Sequence, residues 1–164
     1  MTEKGRTMRH KKQLLLISLI AVLLSAYFSL SSAQLDCGSV DNLQHPVDPA
    51  SFTLSQDYGV ASPRHQGRYH TGEDWYGGRG TSYGQPVRAA ARGRVTYSYP
   101  LGWGRDGGVV IIEHRMPDDS LAYTQYGHLM ETEAIKFPPR ETCIEAGTVI
   151  GAIHDLWPVA DGIE

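Results

Sequence analysis

The run Arg94-Val95-Thr96-Tyr97-Ser98-Tyr99 and, after a glycine-rich turn, the run Val109-Val110-Ile111-Ile112-Glu113 decide the fold. In the first, Val95, Tyr97 and Tyr99 alternate with Arg94, Thr96 and Ser98. Successive strand side chains point to opposite faces, so a period of two predicts a half-buried strand. The second run is continuously β-branched before Glu113, which suits a central strand. Met116-Pro117-Asp118-Asp119-Ser120 reads as a turn, and residues 121–126 as the returning strand of an antiparallel hairpin.

Outward from this hairpin the elements are short. Residues 34–50 contain Pro46 and Pro49, lack periodicity and read as an extended lead-in. A first strand is expected at 52–54 and a last one at 147–153, with a polar loop at 56–66. Gly77, Gly78 and Gly80 mark a flexible loop. One helical turn is expected at 131–136. No amphipathic helix of ordinary length follows residue 33, so the domain is expected to be all-β. Gly102-Trp103-Gly104-Arg105-Asp106-Gly107 matches G-x-G-x-x-G, but that dinucleotide fingerprint must open a helix, and here a strand follows. The glycines therefore read as turn residues. No internal repeat is evident.

At 164 residues, with 41% apolar and 20% charged side chains, the chain is long enough for one globular domain. A net charge of −3 gives no electrostatic case for nucleic acid. Only the N-terminus is strongly basic. Lys4, Arg6, Arg9, Lys11 and Lys12 precede an apolar run at 14–30, and Ser31, Ser32 and Ala33 follow. That order predicts a secretory signal over 1–33, cut near Ala33; the alternative is an uncleaved membrane anchor formed by 14–30. Asp36 makes Leu35-Asp36-Cys37 a poor lipidation site. The protein is thus expected to be exported: secreted, periplasmic or wall-associated. In such a compartment Cys37 and Cys143 can pair, the alternative being two separate buried thiols.

Chemistry concentrates in Tyr69-His70-Thr71-Gly72-Glu73-Asp74-Trp75. His70 and Asp74 flank a glycine on a turning backbone and can face one point. Imidazole nitrogen and carboxylate oxygen both ligate zinc. The plainer alternative is a surface histidine hydrogen-bonded to a nearby aspartate. His128 follows a strand and a glycine, which lets it lean over a neighbouring site, where it can take or give a proton near neutral pH. Its plainer alternative is a strand-end histidine capped by a carbonyl.

Taken together, these pieces resemble the M23 family of zinc metallopeptidases, the lysostaphin and LytM-like peptidoglycan endopeptidases. The matching segments are 69–74, Gly84-Gln85-Pro86-Val87 with Ala89 to Val95, Val109 to His114, Thr124-Gln125-Tyr126-Gly127-His128-Leu129, and Gly147-Thr148-Val149-Ile150-Gly151. Five pieces in order are far more specific than any one of them. The resemblance covers about 52–153 and implies an antiparallel, barrel-sandwich-like M23 domain at 52–164. It implies His70 and Asp74 as Zn2+ ligands and His128 as an active-site histidine that does not ligate. His114 would be structural; His65 and His154 match no catalytic position. The implied substrate is a peptide bond of peptidoglycan, with Tyr97, Tyr99 and Trp103 able to line a groove for it.

The family completes its site with a later H-x-H, whose second histidine is the third zinc ligand. No such motif occurs before Glu164. The expectation is a domain that is C-terminally incomplete, so that these residues alone would neither hold zinc tightly nor cut. The competing function is a non-catalytic LytM-like module that activates another wall hydrolase. A biotinyl or lipoyl carrier is disfavoured, because Lys136 beside Phe137-Pro138-Pro139 is no hairpin-tip lysine.

Overall fold

The computed structural model describes residues 16–18, 20, 35–61, 68–78 and 80–154. Residues 16–18 and 20 are helical; the rest of the expected signal or anchor, its cleavage site and His65 lie outside the described residues. Among the described residues no helix is long and apolar enough to cross a membrane. The chain divides into units 1–34 and 35–164, and the second holds the sheets.

Among the described residues eight strands form, in order β1 (Thr53–Gln56), β2 (Asp74–Tyr76), β3 (Pro86–Arg88), β4 (Gly93–Tyr99), β5 (Gly108–Arg115), β6 (Leu121–Met130), β7 (Cys143–Ile144) and β8 (Val149–Ile153). β1 and β2 make a small antiparallel sheet. The other six form a sheet in the order β3-β8-β6-β5-β4-β7, again antiparallel at every pairing. The fold is all-β, as the alternating and β-branched runs predict.

β5 occupies the interior of the larger sheet, between β4 and β6. Val110 and Ile112 are fully buried and Val109 nearly so. Val110 and Ile112 pack with Val87, Ala89, Val95, Leu129 and Ile150 into one core, joined by Phe52 from the loop before β1. Glu113 is buried at the end of this apolar run, where Arg94 forks onto its Oε1 from Nε (3.1 Å) and Nη2 (2.9 Å). The Tyr123 hydroxyl donates to the other oxygen at 2.8 Å. A buried carboxylate is tolerable because it is paired and hydrogen-bonded. His114 beside it is also fully buried, with Nδ1 against the Arg92 carbonyl and Nε2 against the Thr124 hydroxyl, both at 2.7 Å.

Several expectations change. Residues 131–136 form no helical turn: the Thr132 hydroxyl accepts from the Ile135 amide, and Thr132 N–H bonds the Ile135 carbonyl. A side chain that closes its own turn competes with the helix, and Pro138-Pro139 follow. β6 continues to Met130, past the expected end at Tyr126, and β7 is an additional strand. The alternation in β4 breaks at a bulge, since Val95 pairs with Ile112 but Tyr97 with Ile111. Val95 is accordingly buried and Tyr99 exposed.

The lead-in is no loose tail. Val40 and Val47 are buried, Val40 N–H bonds the Arg115 carbonyl, Gln44 N–H bonds the Ala90 carbonyl, and the Pro46 carbonyl accepts from Arg88. A disulfide joins Cys37 to Cys143, with Cα atoms 5.3 Å apart and 106 residues of separation. Closing such a loop is worth about 4–5 kcal/mol in the chain-entropy model.

Candidate functional site

His70 is held by its own backbone. Its N–H bonds the Val60 carbonyl at 2.8 Å, and its carbonyl accepts from Gly59 at 2.9 Å. Four residues later the chain enters β2 at Asp74, whose carbonyl accepts from the Ser55 hydroxyl at 2.9 Å. The intervening turn brings the side chains together: His70 Nε2 lies 3.3 Å from Asp74 Oδ1. The His70 side chain is mostly buried, at 12% exposure, whereas Asp74 is open at 46%. Glu73 does not join the pair, since its Oε2 accepts from the Trp75 indole at 3.1 Å. That indole packs on the core, edge to face with His45.

The second ring nitrogen decides what the pair can do. His70 Nδ1 faces the Asp57 carbonyl at 3.3 Å. A carbonyl only accepts, so Nδ1 carries a proton in that contact. In a neutral ring, Nε2 then presents its lone pair towards a carboxylate oxygen. Two acceptors facing each other repel; a proton on Nε2 or a cation between them relieves it. Anchoring the far nitrogen on a carbonyl is also the usual way to orient a ligating imidazole. His70 and Asp74 therefore fit one side of a zinc site. Among the described residues no group of three or more His, Cys, Asp or Glu side chains is placed to hold a metal.

His128 lies within β6 rather than beyond it, at a bulge. Val110 pairs with Tyr126 but Gly108 with Leu129, so Gly127 and His128 share one gap in the ladder. His128 takes φ +54°, unusual for a residue with a side chain. Bulges re-aim side chains, and this one turns the imidazole to the loop between β4 and β5. There Nδ1 meets the Asp106 carbonyl at 2.8 Å, which assigns its proton and leaves Nε2 free to act. The Trp103 ring lies edge to face with the imidazole, centroids 5.0 Å apart. Residue 127 must be glycine for that packing, because a Cβ there would come within 2.1 Å of the indole.

His154 donates its N–H to the His128 carbonyl at 2.8 Å, and its own ring Nδ1 is buried without a hydrogen-bond partner among the described residues. The two carbonyls that orient His70 and His128, from Asp57 and Asp106, are main-chain groups with no signature in residue type. Trp103 was visible only as a groove candidate.

A family model for peptidase family M23 matches residues 68–156. Neither the curated proteins nor the solved structures yield a match. That one family match covers more than half of the sequence and contains His70, Asp74 and His128, and with its all-β antiparallel fold the chain belongs to peptidase family M23.

Proposed function

We propose that the complete protein is a zinc-dependent metalloendopeptidase that cleaves peptide bonds of peptidoglycan, its site finished by an H-x-H beyond residue 164. The observation that carries the reading is the His70–Asp74 pair, with Nε2 and Oδ1 3.3 Å apart and Nδ1 on the Asp57 carbonyl. Family membership supplies the peptidase frame; the ion and the substrate are our inference. His70 Nε2 and an Asp74 oxygen would hold the zinc. When bound, zinc supplies Lewis acidity that polarises the scissile carbonyl and activates water. The chain's own residues do the rest. The Asp57 carbonyl keeps the His70 ring turned to Asp74. His128, with Nδ1 committed to Asp106, offers Nε2 to hold or pass a proton and to stabilise charge growing on the carbonyl oxygen.

An extended peptide outside the cytoplasm fits a protein with a basic, apolar and small-residue N-terminus. A disulfide fits an oxidising compartment in the same way. The deciding experiment is zinc analysis of the complete protein after dialysis against a weak chelator, together with dye release from labelled peptidoglycan. Zinc bound near one per chain with chelator-sensitive dye release supports the reading. Dye release that survives removal of all metal rejects it.

A second reading starts from the sequence, in which no H-x-H follows His128. A LytM-like regulatory module would bind wall or a hydrolase partner without zinc. Stimulation of a separate wall hydrolase by metal-free protein favours that reading.

A further inference from the structure

We propose that Trp103 is a positioning residue for His128: the indole, seated on Gly127, fixes the plane and tautomer of the imidazole. The inference rests on the role given to His128 above.

Three fixings converge on this one histidine. Its ring nitrogen Nδ1 is bonded to the Asp106 carbonyl at 2.8 Å. Its main-chain carbonyl is bonded by the His154 amide at 2.8 Å. Its ring packs edge to face against Trp103, at an interplanar angle of 73°. The first and third come from one short segment, because Asp106 and Trp103 lie on the same loop. That loop is internally braced: Trp103 N–H bonds the Gly107 carbonyl at 3.0 Å, and Asp106 N–H bonds the Trp103 carbonyl at 3.2 Å. Trp103 and the Asp106 carbonyl therefore move as a unit.

Without the indole, a ring at a positive-φ bulge would keep a single tether, the Nδ1 hydrogen bond. One hydrogen bond leaves rotation about χ1 and χ2 open to competition from water. A bulky aromatic wall removes that freedom. Edge-to-face contact with a neighbouring ring adds about 0.5–1.5 kcal/mol beyond area burial. The close approach is also directional in sequence: Gly127 immediately precedes His128, and only a residue without Cβ lets the indole lie there. Trp103 is 42% exposed, so its outer edge reaches solvent while its inner face is engaged.

The test compares full-length wild type with Trp103→Ala and Trp103→Phe, using dye-labelled peptidoglycan and 15N-histidine NMR. Expected for Trp103→Ala is a fall in kcat on the order of tenfold to a hundredfold, with half-saturation within roughly twofold. Trp103→Phe, which keeps an aromatic wall, should recover most of the rate. In wild type the His128 ring should show a single Nδ1–H tautomer; Trp103→Ala should average the two tautomers, and Trp103→Phe should not. Raised half-saturation with kcat intact would make Trp103 a substrate contact and overturn the proposal, as would His128 signals indifferent to its loss. If the Ala variant does not fold, Trp103→Leu, apolar but without a ring, takes its place. If wild type releases no dye, the peptidase reading fails separately, and the tautomer spectra alone decide whether Trp103 positions His128.

Discussion

The amide of His154 donates to the carbonyl of His128 across 2.8 Å, extending the β8–β6 pairing by one bond to the bulge that carries the proposed proton-handling histidine. The backbone just after β8 therefore braces the bulge through a main-chain bond. A main-chain bond of this kind is insensitive to which residue occupies position 154. Its role is to hold the strained φ of His128 in a ladder that would otherwise relax.

The ligand pair makes the first prediction. In the complete protein His70→Ala and Asp74→Ala should each weaken zinc binding more than about a hundredfold, a loss larger than removing an outer-shell partner. Dye release from peptidoglycan should disappear with it. Zinc content and dye release equal to wild type in either variant would remove that residue from the ligand set.

His128→Ala should separate binding from turnover. Its ring is tied to Asp106 and Trp103, so bound zinc should match wild type. Turnover should fall by about 10²–10⁴, the usual worth of a positioned acid or base. Loss of zinc in step with activity would make His128 a ligand instead.

Removing the disulfide should loosen the domain. Cys37→Ser with Cys143→Ser, or reduction of the native protein, is expected to lower unfolding free energy by up to about 4–5 kcal/mol. Urea midpoints with and without reductant measure it. Identical midpoints, or two thiols that alkylate in unreduced native protein, would contradict the bridge.

Alkaline pH should find Tyr126. Burial pushes its hydroxyl above the ordinary 10.0, opposed by its contacts with Thr124 and the Ala90 amide. A raised pKa means that the unfolded chain ionises first. The stability tied to the neutral hydroxyl is therefore fully present below 10.0 and is lost as pH rises towards the folded-state value. Tyr126→Phe should show a flatter alkaline limb. It should also start lower by about 1–3 kcal/mol, because the buried Ala90 N–H loses its 2.7 Å acceptor. Thermal midpoints from about pH 8 to about pH 12 bracket the effect. Parallel curves for the two proteins would show that Tyr126 is not the group responsible.

The parts of the fold that follow from side-chain pattern were legible in the sequence. Val109 to Ile112 fill both faces of a central strand because β-branched side chains have no other low-energy place to go. His70 and Asp74 meet because a four-residue turn through Gly72 leaves them little choice. What escaped was set by backbone. The bulge at Gly127 and His128 depends on register against Gly108 and Val110, which composition does not encode. The Asp57 and Asp106 carbonyls act through main-chain atoms common to every residue. Residues 131–136 looked helical by composition, but a local side-chain bond at Thr132 outcompeted one weak turn. The lead-in looked structureless because its burial is spread over isolated positions, Val40 and Val47, with no period to detect.

The course of that lead-in bears on self-association. The two outer strands of the larger sheet are β3 and β7. Pro46 and Gln44 bond along the β3 side, and Cys37 is fastened to β7. One segment is thus tied to both outer strands, and at β3 its Pro46 carbonyl takes up an amide that would otherwise be open to another chain. A reductant would free Cys37 from β7 while the bonds of Gln44 and Pro46 and the core stayed in place. The first sign of such damage should be fibre-like association of folded protein, seen as light scattering well below the unfolding temperature.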